Sequence, residues 1–84
     1  MLGLNDAQLV AGILGTYKIS DQDDADANTT YFGFVNNQQD WYLMKQVASG
    51  TETSYRYYKG SGAYSAAWTA HASTTYDYYF NIFK

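Results

Sequence analysis

Apolar and polar residues alternate along the chain with two different spacings. From Leu9 to Tyr17 the apolar positions (Leu9, Val10, Ile13, Leu14 and Tyr17) recur at three- and four-residue steps. That spacing predicts a helix over Leu2–Ile19, with Asp6 accepting from the free amides of its first turn. Gly12 and Gly15 each weaken it by about 1 kcal/mol relative to Ala. They also let another backbone come close, so the helix packs either on its own sheet or against other copies of the chain or a host protein.

The second spacing centres on Tyr31–Lys45, read as YFGFVNNQQDWYLMK. Two β-branched, aromatic and long apolar runs flank Asn36, Asn37, Gln38 and Gln39, which predicts a β-hairpin. Pairing Val35 with Asp40 sets Phe34 opposite Trp41 and Phe32 opposite Leu43 on one face. Gly33 then falls opposite Tyr42, where a ring can lie over the bare glycine backbone. The strands are expected at Thr29–Val35 and Trp41–Val47. Both faces carry large apolar groups, so each needs a cover. The amino-terminal helix can cover one, and the carboxy-terminal segment or another subunit the other. A loop turning at Gly50 leads to a third strand, Ser54–Lys59, ended by Gly60, Ser61 and Gly62.

Beyond it the pattern loosens. Ala63–Thr74 reads as a loop wrapped over the sheet and anchored by Tyr64 and Trp68. In Tyr76–Phe83, Tyr76, Tyr79, Phe80 and Phe83 oppose Asp77, Asn81 and Lys84 at helical spacing. A short helix is favoured there over a fourth strand. Ser20–Asn28 (SDQDDADAN) concentrates carboxylates that repel one another, which reads as a solvated connector. The expected fold is a single α+β domain spanning 1–84. It comprises a helix (1–19), an acidic connector (20–28) and a three-stranded antiparallel meander with its aromatic cover (29–84).

Composition sharpens this. A chain of 84 residues without cysteine buries a thin core and gains no disulfide. Aromatics make up 19% of it, ten of them Tyr, which supplies dense packing and suits interfaces. The formal charge is -3, and Lys18, Lys45, Arg56, Lys59 and Lys84 are scattered. Without clustered cations, nucleic-acid binding is not expected. Leu2–Tyr17 is too short, and too interrupted by Asn5, Asp6 and Gln8, to be read as a signal peptide or membrane span.

Candidate chemistry is sparse. Read from Asp21, a calcium-binding EF-hand loop fails at Ala25, Asp26 and Phe32. A plain acidic loop is preferred to a looser calcium site built from Asp21, Asp23, Asp24 and Asp26. His71, with Ser65 or Ser73 and Asp77, sketches a Ser–His–Asp group, but such a triad needs rigid geometry rather than nearness in a loop. A hydrogen-bonded or exposed histidine is preferred. Asp40, Glu52 and Asp77 lack a cleft that would keep one acid dry. Gly60 and Gly62 sit in no phosphate-loop context. No catalytic residue, cofactor or metal site is expected. The surplus of Tyr55, Tyr57, Tyr58, Tyr64, Tyr76, Tyr78 and Tyr79 serves as packing, as a protein interface, or as a platform for sugar rings.

Tyr31-Phe32-Gly33-Phe34-Val35 and Trp41-Tyr42-Leu43-Met44-Lys45 resemble small uncharacterised proteins of tailed bacteriophages. So do Tyr55-Arg56-Tyr57-Tyr58-Lys59-Gly60, Ala67-Trp68-Thr69 and Tyr76-Asp77-Tyr78. The resemblance covers roughly residues 31–80 and leaves the first thirty residues outside. Those proteins often join the two strands by a glycine-containing turn, where this chain has NNQQ. The resemblance implies a phage origin and a virion component, and it brings no catalytic residues. The expected function is a non-enzymatic structural protein assembling in many copies, in a tail, neck, fibre or capsid surface. Its partners are other copies of itself and other virion proteins, after synthesis in the host cytoplasm. Leu9, Ile13, Leu14, Tyr17, Tyr57, Trp68 and Tyr78 are the interface candidates. The alternatives are a carbohydrate-binding module for attachment to host glycans and a small regulator of a host protein.

Overall fold

A computed structural model describes residues 17–84. Four antiparallel strands follow one another in space as in sequence: β1 (Lys18–Asp23), β2 (Thr29–Val35), β3 (Trp41–Ser49) and β4 (Glu52–Tyr58). A short helix α1 (Tyr64–Thr69), a 3₁₀ turn (His71–Ser73) and a last helix α2 (Tyr79–Ile82) complete the α+β chain.

The sheet has one strand more than the expected meander. The helix expected over Leu2–Ile19 lies mostly outside the described residues, but Lys18 and Ile19 are in β1. The acidic connector loses Ser20–Asp23 to the same strand and shrinks to the turn at 24–28. Pairing shifts register between Ile19 and Asp21, a bulge that lets this charged edge run beside β2.

The hairpin lies where expected, but its register differs by one. Val35 pairs with Trp41, Phe34 with Tyr42 and Gly33 with Leu43. The loop therefore holds five residues, 36–40. Asn36 closes it, its side-chain oxygen accepting from the amides of Gln38 and Asp40, each at 2.9 Å. Gln39 takes a left-handed φ of 68°. A one-residue change in register exchanges the faces. Phe32 and Phe34 thus share a face with Tyr42 and Met44, and Trp41 and Leu43 share the other with Gly33.

The front face carries Tyr31, Gly33, Trp41, Leu43 and Tyr58 under the cover formed by Ala63–Tyr76. Tyr64 and Trp68 anchor this cover as expected, though the segment around them is helical rather than a loop. A ring does lie over Gly33, and it belongs to Tyr64. A Cβ on Gly33 would come within 2.0 Å of the Tyr64 hydroxyl oxygen. The chain then rounds the β4 edge, where Asp77 and Tyr57 exchange backbone hydrogen bonds of 2.7 and 2.9 Å. It ends on the back face, where Phe83 meets Tyr42 and Tyr57 edge-on. The carboxy-terminal segment is thus a single bridge followed by the expected short helix. Trp41, Tyr42 and Leu43 form the buried hydrophobic core among the described residues, with Leu43 fully buried.

Candidate functional site

The densest polar constellation lies where the front cover meets β1. Asp21 and Asp23 pair with Gly33 and Tyr31 of β2, which turns both carboxylates to the front. There the Tyr64 hydroxyl donates to Asp21 at 2.7 Å, and His71 Nε2 meets Asp23 at 2.7 Å. His71 Nδ1 donates to the Trp68 carbonyl. Its ring stacks on Trp68 at 4.0 Å and meets Tyr31 edge-on at 4.8 Å. The Tyr76 hydroxyl donates to the His71 carbonyl at 2.9 Å, and Trp41 Nε1 donates to the Gly62 carbonyl at 3.0 Å. A carbonyl and a carboxylate only accept, so the imidazole completes both bonds when both nitrogens carry protons. The bond from His71, and after it one from the Ala25 amide, holds the Asp23 carboxyl below its usual range. Burial, with the Asp21 bond, raises the Tyr64 hydroxyl to about 12.

This arrangement clamps a cover to an edge strand. Both His71 nitrogens are engaged, so neither is left to take a proton from a nucleophile. Ser73 donates to the Ala70 carbonyl, and Asp77 accepts from the Tyr78 amide and the Asn81 side chain. Asp40 and Glu52 sit at opposite ends of the sheet. The acidic segment likewise turns to protein donors, with Asp26 accepting from the Asn28 amide at 2.8 Å. Among the described residues no three groups of metal-ligating type converge, and no helix is long and apolar enough to cross a membrane.

The interface candidates separate into distinct settings. Leu9, Ile13 and Leu14 lie outside the described residues. Tyr17 is half-buried against Tyr42 at 5.1 Å, and burial raises its hydroxyl pKa. Tyr57 is half-buried beneath Tyr79 and Phe83, and Trp68 is half-buried between His71 and Tyr64. Tyr78 is exposed, with the Arg56 guanidinium 4.0 Å from its ring and Phe80 parallel to it at 5.3 Å.

Large apolar side chains stand exposed beyond that set: Ile19 at 55%, Tyr55 at 45%, Tyr78 at 48% and Phe80 at 68%. In the sequence Phe80 is legible only as part of an apolar helical stripe, and Ile19 falls within the span expected to be a helix. The strand register adds a sharper contrast. Lys18, Asp21, Asp23, Lys45, Glu52 and Arg56, the charged residues of the strands, all point to the front. The back shows Ile19, Gln22, Thr30, Phe32, Phe34, Tyr42, Met44, Gln46, Ala48, Thr53, Tyr55 and Tyr57, without a charge. Comparison with known protein families, curated proteins and solved structures finds no match.

Proposed function

We propose that this chain is a non-enzymatic structural protein that assembles in multiple copies as a component of a phage particle. One observation carries the multi-copy reading. Large apolar side chains stand exposed on a chain whose buried hydrophobic residues, among those described, are Trp41, Tyr42 and Leu43. Isolated exposed apolar residues are ordinary, but several on a core this thin favour association. The particle rests on the resemblance carried by residues 31–80. Sedimentation of the purified protein across a concentration series tests assembly. A trimer or larger species is expected, and a monomer at every concentration overturns the proposal. Mass spectrometry of purified particles tests its place there.

A second reading, a module binding host glycans, draws on the parallel exposed rings of Tyr78 and Phe80. Trp68 fits that role poorly, because its ring is stacked on His71 inside the cover.

A further inference from the structure

His71, the single histidine of the chain, stands between two groups that can only accept a hydrogen bond. Its Nε2 meets the Asp23 carboxylate of β1 at 2.7 Å, and its Nδ1 meets the Trp68 carbonyl within the cover. A neutral imidazole has one N–H and one lone pair. With the proton on Nδ1, the lone pair faces the carboxylate. With the proton on Nε2, it faces the carbonyl. Only the doubly protonated ring satisfies both oxygens, and its bond to Asp23 is then charge-assisted. The side chain is 14% exposed, so the ring has little water to turn to. Trp68 stacks on it at 4.0 Å and Tyr31 meets it edge-on, which fixes its plane between the two oxygens.

The other charged and titratable groups around the ring are already engaged. On β1, Asp21 accepts from the Tyr64 hydroxyl. Within the cover, the Tyr76 hydroxyl donates to the His71 carbonyl, and burial raises its pKa. On β2, Tyr31 presents a phenol, a group that ordinarily keeps its proton to about pH 10. On β3, Lys45 is the cross-strand partner of Tyr31, and on β4 the Arg56 guanidinium lies over Tyr78. Of these side chains, the imidazole is the one whose kind changes charge between about pH 5 and pH 8. We propose that His71 is a proton-operated latch, which ties the Trp68–Tyr76 end of the front cover to β1 while doubly protonated and frees that end when one proton leaves. Trp41 and Tyr64 still hold the start of the cover through Gly62 and Asp21, so the opening is local. It uncovers the faces of Trp68 and Tyr31 that now meet the imidazole. The folded cover favours the proton on the ring, so the latch is closed on the acid side of the ring's titration and opens as pH rises through it. Asp23 sets the lower limit, because its own protonation ends the charge-assisted bond.

The test titrates the 15N-labelled protein from about pH 5 to about pH 8.5. It reads the two ring nitrogens of His71 and the amide exchange of α1 and the 3₁₀ turn, with each rate referred to the unfolded sequence at the same pH. Both nitrogens should carry protons while the cover is closed. Protection of those amides should fall about tenfold as one proton leaves. The Phe83 amide, bonded to the Tyr79 carbonyl at the back, should keep its protection. Asp23→Asn supplies the sharper arm. Its oxygen can keep the bond from the Ala25 amide, while its NH₂ replaces the oxygen that faces Nε2. A neutral ring protonated on Nδ1 then satisfies both neighbours, so this variant should keep its cover protected to the end of the titration. A closed cover with a single proton on the ring overturns the proposal. So does protection in the parent that does not change with pH, that falls equally in Asp23→Asn, or that falls together with Phe83.

Discussion

The two faces of the sheet are covered by the same carboxy-terminal stretch, yet they are held by different forces. The front cover combines ring packing at its centre with hydrogen bonds at its rim, from Trp41 to Gly62, Tyr64 to Asp21 and His71 to Asp23. The back cover is one turn of helix, held through Tyr79 and Phe83 against Tyr42 and Tyr57. Hydrogen bonds demand one geometry, so the front is a fixed seam within the molecule. Ring contacts tolerate several offsets, and the strand residues on this face carry no charge. The strand charges follow the same division, lying on the face where partners exist for Asp21 and Asp23.

The largest perturbation strikes the floor that both covers share. Leu43 is fully buried at the centre of β3. Leu43→Ala removes its packing and leaves a cavity under Trp41 and Tyr58, at a cost of about 2–5 kcal/mol. For a domain this small that is a large part of the total stability. Urea denaturation followed by far-UV circular dichroism should show a transition shifted strongly to lower urea, or no folded baseline. A shift of a few tenths of a kcal/mol would show that the core lies elsewhere.

A narrower change separates the faces. Gly33→Ala adds one methyl group where the Tyr64 hydroxyl sits. Tyr64 must move, losing its bond to Asp21 and its edge contact with Trp41. Overpacking of this kind costs about 1–3 kcal/mol. The loss should be local. Amide exchange should quicken across α1 and the 3₁₀ turn, while the amide of Phe83, bonded to the Tyr79 carbonyl at the back, keeps its protection. Equal quickening on both faces would show that the covers unfold as one unit.

What the sequence disclosed follows the range of the forces involved. The second and third strands, the hairpin and the Tyr64 and Trp68 anchors were legible because local periodicity and side-chain size determine them. The device of a ring over Gly33 was legible, but not which ring, because the loop takes five residues through a left-handed Gln39, a conformation β-branched and most other side chains avoid. β1 was hidden for a different reason. Its carboxylates read as solvated because their partners, Tyr64 and His71, lie 43 and 48 residues away. The charge-free back face became visible only with the register, since one residue of slip would redistribute every charge between the faces.

The last and smallest effect is pH dependence, and it too divides by face. On the alkaline side, burial raises the hydroxyl pKa of Tyr42, Tyr64 and Tyr76 above the ordinary 10.0, that of Tyr64 to about 12. The unfolded chain therefore releases these protons first, and their contribution, complete below pH 10, is lost as pH rises through the folded values. On the acid side, Asp23 and Asp77 are held below the ordinary 3.8 by their hydrogen bonds. Their contribution is complete above that value and is lost as pH falls through the lowered ones. Of these two carboxylates, Asp23 belongs to the front clamp. Asp23→Asn keeps the size of the side chain while removing the titrating group, so midpoints measured between pH 5 and pH 2 should fall less steeply than in the parent. Asp77→Asn should produce a similar flattening through the strap at the β4 edge. If Asp23→Asn leaves the acid slope unchanged while Asp77→Asn flattens it, the seam of the front cover is made by its rings, and the two faces are held more alike than their hydrogen bonds imply.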